Sequence, residues 1–341
     1  MLKIGLIGFG YWGRNFARVI LNSSSAKLFV ICDIDENQSN DIFFQIHDQI
    51  PFEKDYKKTL NYDLDAVIIC SPTNTHFNIS KFFLEKKIHV FCEKPLATEA
   101  SEVSTLDDIA RKNNVTLMVG QIFEFNPVVN KIKTIIENKE LGEILYITMV
   151  RASLGPVRTD VNVVYDLITH DVSILNYLLD DQPKQINATG MCFFSEGIED
   201  LVFVNMKYNN KLIVNIHASW LEASKERTIK IVGDKKMIIF NDVDTNSKLK
   251  IFETGESYQK FNGDFGSFQL SMKDGDIHIP NINYEEPLII EFNHFISSIV
   301  NKTIPITNAQ NALKVVSVLN KIQKSLEINA KKFSIYNNSG I

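Results

Sequence analysis

A glycine-rich turn between an apolar strand and a helix constrains this chain more than any other feature. Residues 2–7 are mostly apolar, as in a buried strand, and they run directly into the glycine motif. In such a motif the glycines let the backbone approach a pyrophosphate, which lies at the N-terminus of the following helix. The pattern predicts a dinucleotide-binding domain. Its expected cofactor contacts are Gly8, Phe9, Gly10, Tyr11, Trp12 and Gly13.

An acidic residue follows the second predicted strand at the distance expected for a ribose contact. The strand at residues 27–32 ends at Asp33, and a carboxylate about 20 residues beyond the glycine motif accepts hydrogen bonds from ribose hydroxyls. The adjacent Ile34 and Asp35 offer no cation for a ribose phosphate. We therefore expect NAD rather than NADP, with Asp33 and Ile34 beside the adenosine. An ordinary turn acid is the alternative interpretation of Asp33.

Strands and helices alternate through the first 120 residues or so. Further apolar strands are predicted at 66–70, 89–92 and 116–119, with a helix at 101–113. This alternation is typical of a doubly wound α/β fold with a parallel sheet, whose ligands bind at the carboxyl ends of the strands. The polar residues expected at that edge are Ser71, Pro72, Asn74, His76, Glu93 and Lys94. By themselves, Glu93, Lys94 and Pro95 are more typical of an ordinary solvated turn than of a catalytic site.

The pattern changes after residue 142. Strands are predicted at 144–153, 185–194, 201–208, 212–219, 228–233 and 237–240, and only one early helix interrupts them. We predict an NAD-binding Rossmann domain at residues 1–122 and an α+β domain at 123–341 with a large, mostly antiparallel open sheet. Two amphipathic helices at about 287–328 are expected to pack back on the body, the second after a capping-box-like Thr307-x-x-Gln310.

The early helix of the second half, at residues 164–179, carries polar residues on one side. Asp166 and His170 are four residues apart and therefore neighbours on a helix, with Ser173 and Tyr177 on the same side. Val164, Ile168, Val172, Leu175 and Leu179 form the opposite, apolar stripe. The residues alone leave open whether Asp166 and His170 are a surface pair or a catalytic one.

Composition excludes several classes of protein. The 341 residues are 45% hydrophobic and 23% charged, with a formal net charge of −5, which suits a two-domain globular protein and argues against nucleic-acid or membrane-surface binding. The four cysteines form no close pair, so we expect reduced thiols and no metal site. The N-terminal apolar run is too short for a membrane span and is not expected to be a signal peptide. We expect a cytoplasmic protein.

These motifs together resemble the Gfo/Idh/MocA oxidoreductases. The resemblance rests on the glycine motif, the Ser71-Pro-Thr-x-x-His76 segment, Glu93-Lys94-Pro95, Val119-Gly120-Gln121 and Phe125-Asn126-Pro127. It implies that Gln121 contacts the cofactor, that Asn126 contacts the substrate, and that Lys94 approaches both the nicotinamide and the substrate. It also implies that His170 acts as acid or base beside Asp166. The resemblance further implies a homodimer or homotetramer formed through the open sheet.

The expected reaction is oxidation of a secondary hydroxyl. Basic and aromatic residues of the second half indicate which kind of substrate carries it. Arg151, Arg158 and Trp220 look similar to the pattern in family members that oxidise the 3-hydroxyl of nucleotide-activated N-acetylhexosamines for amino-sugar biosynthesis. Arg151 and Arg158 could bind a diphosphate, or pair with acids of the chain. Trp220 could stack on a ring or pack in the sheet. Two other functions stay open: a dehydrogenase of an unactivated sugar or inositol-like polyol, and a non-catalytic NAD-binding regulator.

Overall fold

A computed structural model describes residues 1–41, 43, 47, 49–155, 157–254 and 274–338. The strands are β1 Leu2–Ile7, β2 Ala26–Cys32, β3 Phe52–Glu53, β4 Ala66–Ile69, β5 His89–Glu93, β6 Leu117–Gly120, β7 Ile144–Ala152, β8 Gln185–Met191, β9 Leu201–Lys207, β10 Ile213–Ser219, β11 Glu226–Gly233, β12 Lys236–Asn241, β13 Leu249–Thr254 and β14 Asp274–His278. The α-helices are α1 Tyr11–Leu21, α2 Thr73–Glu85, α3 Ala100–Asn113, α4 Pro127–Glu137, α5 Thr169–Leu179, α6 Pro287–Asn301 and α7 Ala309–Asn338. Short 3-10 turns lie at Glu36–Asn40, Tyr56–Tyr62, Ile122–Phe125 and Asn209–Lys211.

The first sheet is parallel throughout its six strands, in the order β3-β2-β1-β4-β5-β6. Its central strands β1, β4 and β5 are almost fully buried, because helices cover both faces. The predicted α/β Rossmann fold is therefore confirmed. The two-residue β3 was not predicted, since a strand so short has no periodicity to detect.

The second sheet has eight strands in the order β14-β13-β12-β11-β7-β10-β9-β8. Every neighbouring pair is antiparallel except β7 and β10, so the predicted mostly antiparallel sheet is confirmed. Helix α4 was not predicted, although its start has a clear signal. Asn126 caps it by accepting a hydrogen bond from the Val128 N–H at 2.8 Å, and Pro127 occupies the first turn.

The predicted helix at 164–179 is interrupted by a π-helical turn. Residues Val164–Ile168 form that turn, and the α-helix begins only at Thr169. The expected single polar side is also wrong. Ser173 is buried and donates to Glu124, and Tyr177 donates to Asn130, so of that set only Asp166 lines the cavity described below.

The two C-terminal helices join both halves of the molecule. Helix α6 packs Leu288, Phe292 and Phe295 into the core of the parallel sheet. Helix α7 contributes Val316 to that half and Leu319 to the core of the second sheet. Its N-cap is Asn308, whose Oδ1 accepts from the N–H groups of Gln310 and Asn311, and not the expected Thr307. None of the described helices has the length and hydropathy needed to cross a membrane.

One face of the second sheet is open to solvent. Strand β9 alternates between buried and exposed residues, so one of its faces is in the core and the other is open. The open face nevertheless carries large apolar side chains on neighbouring strands: Tyr146 is 46% exposed, Phe203 41% and Ile213 52%. The register places Ile213 opposite both Tyr146 and Lys207, which makes this surface continuous across β7, β10 and β9.

Candidate active site

A cavity of about 960 Å³ lies at the carboxyl ends of the parallel strands. It is lined by most of the predicted cofactor residues: Gly8, Gly10, Tyr11, Trp12, Asp33, Ile34, Ser71, Pro72, Asn74, His76, Glu93 and Lys94. The second half contributes Arg158 and Asp166 to the same wall. The structure therefore brings the strand-edge motifs together with Arg158 and Asp166, two of the residues predicted to bind substrate.

The glycine turn has the shape that a dinucleotide needs. A Cβ on Gly13 would lie 2.1 Å from the Gly8 carbonyl oxygen, and Gly8 has a φ of +93°, so neither position accepts a side chain without rearrangement. Gly10, in contrast, faces open space in the cavity. Helix α1 begins next to it with no side-chain cap and no acidic residue in its first turn. Its free N–H groups therefore suit a pyrophosphate, and the residues present fit NAD.

Asp33 is held in place at the end of β2. Its Oδ2 accepts from the Phe9 N–H at 2.6 Å and its Oδ1 from the Asp35 N–H at 2.9 Å. Phe9 thus contributes its backbone, while its side chain lies in the core. Ile34 is 90% exposed and lines the cavity, as does Lys54, a cation that the sequence analysis missed because it lies beyond a different strand.

His76 connects the two polar segments at the strand edge. Its Nε2 lies 2.8 Å from the carbonyl oxygen of Ser71 and its Nδ1 2.8 Å from that of Pro95. The ring is 1% exposed, and burial lowers its pKa despite the two carbonyls. The imidazole nitrogens are thus occupied by the backbone, and the histidine fixes the position of the loop that carries Lys94.

Lys94 reaches from β5 to the second half of the molecule. Its Nζ donates to the carbonyl oxygen of Asp166 at 2.9 Å and lies 3.6 Å from the Asp166 Oδ1. The side chain is only 9% exposed, and burial lowers the pKa of the ammonium while Asp166 and Glu93 oppose that change. Lys94 is therefore a desolvated cation, and both of these contacts of its ammonium are with Asp166.

The Asp166 carboxylate binds donors from three parts of the fold. Its Oδ1 accepts from Arg158 Nη1 at 3.3 Å and its Oδ2 from the indole Nε1 of Trp220 at 3.1 Å. Together with Lys94, these contacts occupy both oxygens of the carboxylate. Asp166 lies in the π-helical turn, a feature often found at functional sites.

His170 stands beside this cluster on the first turn of α5. Its ring packs edge-on against Phe123, with 5.2 Å between ring centroids, and its Nδ1 is buried without a partner among the described residues. Burial lowers its pKa well below the usual value, and the nearby cations Lys94, Arg151 and Arg227 lower it further. A neutral imidazole is the form that can accept a proton.

Six of the predicted site residues are not part of the cavity lining: Phe9, Gly13, Gln121, Asn126, Arg151 and His170. Arg151 is 5% exposed and its Nε and Nη2 both donate to Asp171 Oδ1, at 3.0 and 2.8 Å, so the salt bridge left open by the sequence is what forms. Asn126 is 3% exposed and caps α4. Gln121 is 2% exposed. Trp220 is also buried, so it does not offer an exposed stacking face.

Buried acids lie behind Lys94. Burial raises the pKa of Glu93 to about 7, and Glu124, which accepts hydrogen bonds from Ser173 and Asn311, is raised to about 7 as well. Glu291 on α6 is 0% exposed, and both of its carboxylate oxygens lack a partner among the described residues. Burial, followed by the charges of Glu93 and Glu124, raises its pKa well above the usual value. The sequence analysis missed Glu291 because it lies within an apolar helix.

Comparison with known proteins gives matches over most of the chain. Residues 2–121 match the family model described as "Oxidoreductase family, NAD-binding Rossmann fold", and residues 129–239 match the "GFO/IDH/MocA C-terminal domain".

Among the described residues, no group of three or more His, Cys, Asp or Glu side chains is placed to hold a metal ion.

Individual relatives are distant. The chain is 32% identical over 203 residues to the uncharacterized oxidoreductase YrbE of Bacillus subtilis, covering 58% of this chain and 59% of that protein. It is 24% identical to the myo-inositol 2-dehydrogenase of Thermotoga maritima, over 76% of this chain and 81% of that one. It is also 24% identical to the UDP-N-acetylglucosamine 3-dehydrogenase of Acidithiobacillus ferrooxidans, over 74% and 78%. A solved structure of the latter protein superposes with a TM-score of 0.81, covering 96% of this chain and 98% of that one at 20% identity.

The buried Glu291 should make stability depend on pH. An acid whose pKa is raised by folding is neutral in the native protein at a pH where the unfolded chain is already ionised, so it destabilises the fold increasingly as pH rises from about 4.3. We expect the Tm of Glu291→Gln to equal that of the wild type near pH 4.5. Above that pH, the Tm of the variant should exceed that of the wild type by an amount that increases steadily up to pH 8. Each pKa unit of difference corresponds to about 1.4 kcal/mol. Thermal unfolding followed by circular dichroism across this range measures the effect.

The matched control is Glu137→Gln, which changes a glutamate that is 62% exposed and should leave the same difference in Tm at every pH. A Glu291→Gln difference that is likewise constant with pH would contradict a raised pKa at this position.

Proposed function

Because the chain belongs to the Gfo/Idh/MocA oxidoreductases, we propose that it oxidises the C3 hydroxyl of a nucleotide-activated N-acetylhexosamine to a ketone with NAD. The observation that carries this proposal is the position of Lys94. Its ammonium lies in the wall of the cofactor cavity and at the same time contacts Asp166 of the second half, next to His170. The 3-keto product would be the substrate of an aminotransferase in amino-sugar biosynthesis.

Oxidation of a secondary alcohol needs a proton acceptor and a positive charge near the reacting oxygen. NAD, when bound, supplies the hydride acceptor. His170 is neutral, since its pKa is lowered by burial and by neighbouring cations, and it takes the hydroxyl proton. Lys94 Nζ stabilises the negative charge that develops on the oxygen. Asp166 keeps the buried ammonium in place through its carbonyl and its carboxylate.

A nucleotide-activated substrate brings a diphosphate, which requires a cation on the substrate side. Arg151 is 5% exposed and paired with Asp171, so we assign this part to Arg158 and Arg227, whose side chains are more exposed. The Arg158 side chain is 29% exposed at the cavity wall, where a diphosphate would compete with Asp160 and Asp166 for its donors. The Arg227 side chain is 38% exposed, is close enough to His170 to lower its pKa, and lies 3.5 Å from Asp242, a long ion pair that leaves donors available. The resemblance to the UDP-N-acetylglucosamine 3-dehydrogenase of Acidithiobacillus ferrooxidans supports the same substrate class.

A second candidate is a dehydrogenase of an unactivated cyclic polyol. It is favoured by the alignment with the myo-inositol 2-dehydrogenase of Thermotoga maritima, which covers a larger share of that protein than the alignment with the UDP-sugar enzyme does. The non-catalytic regulator is less consistent with the site. A sensor of NAD has no need for a buried lysine paired with Asp166 next to a neutral histidine.

The substrate proposal is tested by following NADH absorbance with a defined panel. We expect NAD reduction with UDP-N-acetylglucosamine or UDP-N-acetylgalactosamine and none with myo-inositol, scyllo-inositol, glucose or free N-acetylglucosamine. Reduction with an inositol alone would contradict the proposal in favour of the polyol. NAD binding by calorimetry without reduction by any member of the panel would favour the regulator.

Replacing Lys94 should separate catalysis from cofactor binding. We expect Lys94→Ala to lower kcat by about 100-fold or more, the scale of a lost electrostatic contact to the transition state, with the NAD Kd nearly unchanged. The exposed Lys86→Ala is the matched control and should leave kcat intact. An almost unchanged kcat in Lys94→Ala would refute the assignment. If His170→Ala retained the rate and its pH profile, the base would be Lys94 or a water.

We also propose that two or four copies associate through the open face of the second sheet. Tyr146, Phe203 and Ile213 are each more than two-fifths exposed on this continuous surface, which is unusual for a face that only contacts water. A second copy of the chain can bury the same patch on both partners at once. Light scattering should give the mass of a dimer or tetramer, and Phe203→Lys should shift it toward the monomer. A monomeric wild type would refute this.

A further inference from the structure

Trp220 is fixed where the second sheet meets the candidate active site. It directly follows β10, which lies in the interior of the sheet between β7 and β9. Its backbone N–H donates to the Asp200 carbonyl at 3.0 Å, and the next N–H, that of Leu221, donates to Ser219 Oγ at 3.0 Å. The residue is 2% exposed. The backbone of Trp220 is thus held by the sheet, and its indole is buried.

The indole makes a different kind of contact with Asp166 from the other donors. Trp220 Nε1 donates to Oδ2 at 3.1 Å, whereas Arg158 and Lys94 both approach Oδ1, at 3.3 and 3.6 Å. Arg158 is shared: it also donates to Asp160 Oδ2 at 2.6 Å and to Thr73 Oγ1 at 3.3 Å. The indole of Trp220 has a single N–H, and that N–H donates to Asp166.

A neutral donor has a specific advantage at this point. A third cation on Asp166 would compete with Lys94 for the carboxylate and would lower the proton affinity of His170 further. The indole N–H donates to one carboxylate oxygen without adding charge to the site. Because an indole N–H cannot accept a hydrogen bond, it favours the ionised form of the carboxylate and holds it in one orientation. The remaining oxygen is then left to face Arg158 and Lys94.

We propose that Trp220 is a positioning residue that aims the Asp166 carboxylate, and through it the Lys94 ammonium, at the reacting hydroxyl. The proposal goes beyond the proposed function by adding a residue of the sheet to the machinery. Its effect on rate rests on the proposed function, whereas the contact itself does not.

A kinetic double-mutant cycle tests the effect on rate. Trp220→Phe keeps an aromatic ring and removes the N–H; we expect kcat to fall about tenfold, by analogy with the loss of a charge-assisted hydrogen bond, with KM for NAD nearly unchanged. In an Asp166→Ala background the same change should alter kcat by less than about twofold, because the acceptor is gone. An equal fold-change in both backgrounds would overturn the proposal and assign Trp220 to packing alone.

Fluorescence of the protein without cofactor or substrate tests the contact independently. The chain has two tryptophans, so Trp12→Phe leaves Trp220 as the only one. We expect Asp166→Asn in this background to shift the emission of Trp220. Asp160→Asn is the matched control, since Asp160 binds the opposite side of Arg158 and should leave the emission unchanged. The cations Lys94 and Arg158 and the neutral His170 are the same in both variants.

The two readouts separate the possible failures. No shift with Asp166→Asn, or an equal shift with Asp160→Asn, overturns the contact. If the shift occurs while no member of the substrate panel reduces NAD, the contact stands and the proposed function fails. Thermal unfolding of every variant confirms that folded proteins are being compared.

Discussion

The buried pairing of Lys94 with Asp166 is the interaction on which the rest of the candidate site depends. An ammonium with 9% of its side chain exposed has lost most of its hydration, and such a charge is tolerated only when a partner is well placed. The lysine comes from the end of a parallel strand and the acid from a helix of the second half. Each half therefore supplies one member of the pair, and the site exists only while both halves keep their relative position.

The C-terminal helix α7 provides that constraint. It contributes apolar residues to both cores, and polar residues along its length bind groups near the site. Asn320 donates to the Thr98 carbonyl at 2.8 Å, in the loop after Lys94, and to the Tyr165 hydroxyl at 3.0 Å, in the π-helical turn next to Asp166. Asn311 binds Glu124, which in turn accepts from Ser173 on the helix of His170. One long helix thus connects the backbone segments that carry the three central side chains.

Local patterns in the sequence were enough to predict the fold class and the residues at the strand edge. Gly8, Asp33 and Lys94 are recognisable because their position follows from a strand, a turn and a fixed spacing. The contacts and surroundings of Arg151, Trp220 and Glu291 could not be predicted in this way. Whether an arginine pairs with Asp171 or faces a cavity, and whether an indole meets a carboxylate, depends on contacts between segments far apart in the chain. The π-helical turn is also invisible to a pattern that assumes a constant 3.6 residues per turn.

That turn sets the direction of Asp166 relative to the helix that follows it. In a regular helix each residue advances by about 100°, so the direction of residue 166 would be fixed by the packing of Val172 and Leu175 further along. The wider turn changes this relation, so the Asp166 side chain leaves the backbone in a direction that a regular helix would not give it. The carboxylate can therefore meet Trp220 and Arg158 while Val172 and Leu175 stay packed in the core.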